Sequence, residues 1–106
     1  MISILKLIRN GSLEIIKTDF LDLETLSTYV NNGQTNIEQL DELSYYESNL
    51  KIFGSNNNHL LMENKHEIPY CFDKIFFGDL LIIKYNRQNV IENMDSKEYL
   101  DLVDQI

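Results

Sequence analysis

The sequence predicts an α+β fold: one small domain spanning residues 1–106, with a mixed sheet of about five strands, one central helix and one C-terminal helix. Three observations predict it. The dipeptide Asn10-Gly11 joins two β-rich runs near the start of the chain. Apolar residues recur at helical spacing behind an aspartate that can cap, once after Asp22 and once after Asp95. Between them lies Leu80-Leu81-Ile82-Ile83, apolar at successive positions, the pattern of a strand covered on both faces.

The elements follow in order. Residues 2–8 and 13–17 are predicted strands, joined by a two-residue type I′ turn at Asn10-Gly11, because both positions accept positive φ. Asp22 opens a helix in which Leu21 and Leu26 occupy the staple positions, Leu23, Leu26 and Val30 share a face, and Gly33 supplies the stop. Ile37, Leu40 and Leu43 repeat at helical spacing and predict a helical turn leading into a strand. Residues 43–46 and 50–53 read as a second hairpin about Glu47-Ser48-Asn49, closed by Gly54-Ser55 before the polar Asn56-Asn57-Asn58. Residues 80–85 are the central strand. The last helix has Asp95 as cap, Glu98 as the third residue of a capping box, and Tyr99, Leu102, Val103 and Ile106 on one face. The order also suggests a ubiquitin-like β-grasp arrangement, in which a mixed sheet wraps one helix. Conjugation is not expected of it, since Val103-Asp104-Gln105-Ile106 contains no Gly-Gly.

Composition bounds the function. Nine Lys and Arg against seventeen Asp and Glu leave a formal charge of -8, and a field of that sign repels phosphates and anionic head groups. Direct nucleic-acid or membrane binding is not expected. One cysteine cannot form an internal disulfide, and no stretch resembles a secretory leader, so an intracellular setting is expected. The longest apolar run falls far short of the roughly 20 residues that span a bilayer.

The segment from Glu63 to Asn86 concentrates the chain's only proline, its only cysteine and one of its two histidines. A chemical reading takes His59, His66, Cys71 and Asp73 as metal ligands, or Cys71 and a histidine as nucleophile and base. The spacing lacks the two close ligand pairs of structural zinc sites, and an acidic chain does not lower a thiol pKa, so no metal, cofactor or catalytic residue is expected. The scaffold reading gives each residue a mechanical role. Pro69 holds Ile68 extended, Phe72, Ile75, Phe76 and Phe77 carry apolar area into the core, and Gly78 lets the backbone turn or lie close to a neighbour. Pro69, Phe76, Phe77 and Gly78 are the expected structural anchor.

The string Asn64-Lys65-His66-Glu67-Ile68-Pro69, then Asp73, then Phe76-Phe77-Gly78 before an apolar strand and a short acidic helix, resembles a family of small uncharacterised proteins of nucleocytoplasmic large DNA viruses. The resemblance covers the C-terminal half. Tyr70 and Cys71 stand where the family carries further prolines, and Tyr99 where it tends to carry tryptophan. The resemblance implies a viral setting, in host cytoplasm or virion, and no catalytic residue.

Three classes of function follow. The first is a non-catalytic protein–protein interaction module of a virion or regulatory complex, with Tyr45, Tyr46 and Tyr70 as candidate contacts. The second is an acidic decoy or adaptor for a basic nucleic-acid-binding protein, resting on the net charge and on Asp19, Asp22 and Glu24. The third is a small enzyme using His66, Cys71 and Asp73.

Overall fold

A computed structural model describes residues 1–19, 21–33, 36–45, 47–55, 61–68 and 74–104, the side chains of Asn32 and Tyr45 excepted. Among the described residues six strands form one sheet: β1 (Ile2–Leu7), β2 (Leu13–Thr18), β3 (Glu38–Tyr45), β4 (Ser48–Gly54), β5 (Leu80–Asn86) and β6 (Ile91–Glu92). Their order is β2-β1-β5-β4-β3, with β6 pairing β5 off that path. Two helices, α1 (Leu23–Ser27) and α2 (Ser96–Asp104), complete the α+β architecture. Every strand pairing among the described residues is antiparallel, including β1 with β5, where a mixed sheet was expected with a grasp arrangement. The reason lies in the connection before β5. Phe53 near the end of β4 pairs with Leu81 near the start of β5, so the chain returns to the sheet at the end it left, whereas a parallel neighbour requires a crossover to the opposite end.

Local chemistry explains the elements. Asn10-Gly11 marks the first hairpin, but the turn has three residues instead of two: Gly11 N–H donates to Ile8 O, Ile8 N–H donates to Ser12 O, and Gly11 alone takes a positive φ, of 104°. Asn10 keeps an ordinary φ because its Oδ1 accepts the Ser12 N–H at 2.9 Å. The same turn recurs between β5 and β6, where Asn89 N–H donates to Asn86 O, Asn86 N–H donates to Val90 O, and Asn89 stands at φ 62° in the glycine's place. Strand β3 replaces the helical turn expected at residues 37–43. Its register with β4 shifts between Gln39 and Asp41, a bulge that sets Leu40 and Leu43, three apart, on one face while Ile37 packs on the other. Helical spacing was thus produced by a bulged strand.

Asp22 caps α1 as expected, accepting the Thr25 backbone N–H at 3.0 Å and the Thr25 hydroxyl at 3.1 Å, which together hold its carboxyl below the ordinary aspartate range. The helix ends after only five residues. Ser27 Oγ donates to Leu23 O and Thr28 Oγ1 to Thr25 O, side-chain bonds of the kind that compete with helix propagation, and a 3-10 turn at Asn31–Gly33 finishes the connection. Leu26 and Val30 are buried as the periodicity requires, but Leu23 is exposed, because the short helix never completes the face it would have joined. In α2, Asp95 Oδ1 accepts the Glu98 N–H at 2.8 Å, while the Glu98 carboxylate reaches Lys84 on the sheet, also at 2.8 Å.

The sheet is covered on both faces. Leu80 and Ile82 point to the side packed by Tyr99 and Leu102 of α2 and by Ile68 and Phe76; Leu81 and Ile83 point to the side packed by Leu26 and Val30. All four strand residues are at most 1% exposed. Leu81→Ala and Ile82→Ala should therefore each lower stability by about 2 to 5 kcal/mol, measured by denaturant unfolding. A loss confined to one of them would contradict two-sided burial.

Candidate functional site

The segment before β5 is bound to the sheet by two polar side chains. Glu63 and Phe77 form an antiparallel bridge flanked by Asn64 N–H donating to Phe76 O at 2.8 Å and Gly78 N–H donating to Met62 O at 2.7 Å. Asn64, 6% exposed, then spends its side chain on backbone: Nδ2 donates to Leu7 O at 3.1 Å and to Gly78 O at 2.8 Å, and Oδ1 accepts the His66 N–H at 2.8 Å. A buried amide needs such partners, and here it joins the end of β1 to the approach to β5. Gly78 makes the approach possible. Its φ is 74°, and a Cβ there would lie 2.6 Å from Asn31 Oδ1 and 2.8 Å from Leu61 Cδ1.

Asp79 is the second side chain. Its Oδ1 accepts the Arg9 N–H at 3.0 Å, its Oδ2 accepts the Asn31 N–H at 3.1 Å, and its own N–H donates to Asn31 Oδ1 at 2.9 Å. Lys6 Nζ stands 3.8 Å from Oδ2. One carboxylate thus gathers the β1–β2 turn, the end of the α1 region and the start of β5.

The residues expected to matter fall as follows. His66 is half-buried; its ring meets Tyr99 edge-on, with centroids 6.2 Å apart, and the tautomer protonated at Nε2 donates to Ser12 O at 2.9 Å. Cys71 and Asp73, its expected chemical partners, lie outside the described residues, as do His59, Tyr46, Pro69, Tyr70 and Phe72. Tyr45 ends β3. Phe76 is half-buried against the α2-side core, while Phe77 is half-buried beside Glu63 and belongs to neither core cluster. Ile75, expected in the core, is 63% exposed, because the ladder turns alternate side chains outward and places it there. Among the described residues no group of three or more His, Cys, Asp or Glu side chains is arranged to hold a metal ion.

Around this ladder runs a cleft of about 390 Å³, with Asn64, Ile68 and Phe76 on its inner side and Glu63, Lys65, Glu67, Lys74 and Ile75 about it. Lys74 also bonds Asp41 of β3 at 2.6 Å, so the rim is fastened to the sheet edge. Charges of both signs thus rim the cleft around the Asn64 amide, Ile68 and Phe76. Asn64 entered the sequence analysis only as part of the resembling pattern and Asp79 not at all, because a single polar residue in an irregular stretch has no period to betray its partners.

Tyr85 was likewise not singled out by the sequence. Lys51 Nζ sits 4.1 Å from its ring centroid and 3.4 Å from Asn89 Oδ1. Burial, and secondarily the Glu42 carboxylate, raise the phenol pKa above the ordinary 10.0.

A scan against protein-family models finds no match to this chain, and neither does a search of the curated proteins or of the solved structures.

Replacing Asn64 by Ala should cost about 1 to 3 kcal/mol for each carbonyl that loses its donor. Asn64→Asp should be worse at neutral pH, since a buried carboxylate would face two carbonyl oxygens. Burial would raise that aspartate's folded pKa above its unfolded value, so its deficit should shrink as pH falls. Unfolding curves at neutral and acidic pH check both, and a pH-independent deficit would refute the clamp. For Tyr85 the raised pKa means a stabilisation complete below the unfolded value and lost as pH rises through the folded one. Alkaline unfolding curves should steepen less in Tyr85→Phe than in wild type.

Proposed function

We propose that this chain is a non-catalytic protein–protein interaction module, and that the outward side of the Asn64 ladder is its contact surface. The observation that carries the reading is Ile75. A large apolar side chain, 63% exposed, stands beside half-buried Phe77 on backbone clamped by Asn64 and Gly78, and Glu63, Lys65, Glu67 and Lys74 surround it. An apolar spot with a polar rim, on a segment already ordered, costs little further entropy to bind. Tyr70, two positions beyond Ile68 in the chain, is proposed as a further contact, with Tyr45, which ends β3, and its chain neighbour Tyr46 as a second group.

The viral setting is part of this proposal. In its support, the Asn-Lys-x-Glu-x-Pro half and the Phe-Phe-Gly half of the resembling pattern touch: Asn64 bonds both Phe76 O and Gly78 O. The two halves form one mechanical unit, which is a physical reason for them to occur together.

A second reading, the acidic adaptor for a basic partner, draws on exposed Glu38 and Glu42 along β3. Salt separates the two, because exposed charge pairs are screened over about 8 to 10 Å at physiological ionic strength. The test begins with purification of the tagged chain from its native cells and identification of what accompanies it, followed by titration of that partner. Ile75→Asp should weaken binding at least about tenfold, the effect of losing an interface anchor, without altering the unfolding curve. Affinity unchanged by Ile75→Asp but falling steeply with salt would replace this reading with the acidic adaptor.

A further inference from the structure

We propose that the outer edge of β2 pairs with the same edge of a second copy of this chain, making a two-fold dimer through a continuous sheet. This surface is separate from the Ile75 ledge and does not depend on the reading given to it. Strand β2 is the last strand on its side, and among the described residues it pairs with β1 alone, through six successive pairs without a bulge. The phase of that ladder shows which groups face away from β1. Ile8 N–H donates to Ser12 O across the hairpin, while Ser3 turns the other way, its N–H to Asn93 Oδ1 and its carbonyl to Met94 N–H. Alternation along an antiparallel pair then directs the backbone N–H and C=O of Leu13, Ile15 and Lys17 outward.

The opposite edge of the sheet is guarded. Strand β3 is bulged between Gln39 and Asp41, and Asp41 Oδ1 accepts the Glu42 N–H at 2.8 Å, so an outward-facing donor is already engaged by a carboxylate. Bulges and edge charges of this kind deter strand addition. Strand β2 has neither a bulge nor a proline. Its two charges, Glu14 and Lys17, are of opposite sign, and a regular edge on one side of the sheet with a bulged one on the other favours a closed β2–β2 pair over an open β2–β3 chain.

The side chains suit a second copy. Leu13 and Ile15 extend the α2-side core to the edge, half-buried, and Ile16 does the same on the α1 side. A two-fold axis perpendicular to the sheet at Ile15 keeps the faces matched. It sets Ile15 against its own copy, Leu13 against Lys17 and Glu14 against Ile16, so no like charges stand directly opposed. Apolar area on both faces would then be covered at once.

Light scattering after size exclusion, over a range of protein concentration, together with amide hydrogen exchange, tests the dimer. The mass is expected to move from 12.5 kDa toward twice that value as concentration rises. The amides of Leu13, Ile15 and Lys17 should slow in step, while that of Glu14, already bonded to β1, stays unchanged. Because each copy carries a formal charge of -8, dimerisation should strengthen with salt. Ile15→Lys keeps the backbone and opposes two ammonium groups at the axis. It should raise the dissociation constant at least about tenfold, with circular dichroism reporting its fold. If that variant does not fold, exchange in the wild-type protein decides alone. A mass of 12.5 kDa at every concentration, or a dimer whose three outward amides exchange as in the monomer, overturns the proposal. So does protection of those amides only by an added basic peptide, with affinity that falls as salt rises.

Discussion

Strand β5 carries four consecutive aliphatic side chains, Leu80 to Ile83, and strand geometry sends them alternately to opposite faces. Neither face can be left to water, since each such side chain fully buried contributes about 1.5 to 3 kcal/mol. The chain must therefore supply a covering layer on each side of the sheet. It does so unevenly: α2 with the segments around Ile68 and Phe76 packs one side, and the short stretch from Leu21 through Val30 packs the other. The placement of β5 between β1 and β4 suits the same demand, because layers centred on the sheet cover its middle strands more fully than its edges.

Covering a sheet with irregular chain raises a polar problem that a helix does not have. Backbone N–H and C=O groups without a regular ladder still need partners. Asn64 and Asp79 answer it, each with several bonds to backbone of distant segments, and the positive φ of Gly78 brings those segments within reach. His66 belongs to the same arrangement, tied by its backbone to Asn64 and by its ring to Ser12 and Tyr99. A histidine held by a main-chain carbonyl and an aromatic edge joins α2 to the first hairpin.

Order in this segment also shapes what it exposes. A two-rung ladder directs one row of side chains to the core and the other to solvent, so fixing Asn64 and Phe76 inward obliges Ile75 to face out. The exposed apolar residue is a consequence of the buried polar one. Along β3, the bulge, the carboxylates and the Asp41–Lys74 pair act together to finish that edge of the sheet.

Sequence by itself determined the class of fold, the first hairpin, the cap at Asp22, the amphipathic α2 and the two-sided burial of β5, because each is written in spacings of a few residues. It misjudged what depends on longer range. The type of the Asn10-Gly11 turn rested on a side-chain bond to Ser12; the Ile37-Leu40-Leu43 spacing came from a bulge visible only against β4; and β6 is two residues long, held by its pairing with β5. Tertiary structure alone decided that the sheet is antiparallel throughout, that Asn64 and Asp79 are structural centres, and that Ile75 is outside. The physical reason is common to all three. Strand direction, the satisfaction of a buried amide and the facing of an irregular segment are set by partners tens of residues away, and no local pattern of side chains encodes which partner will be there.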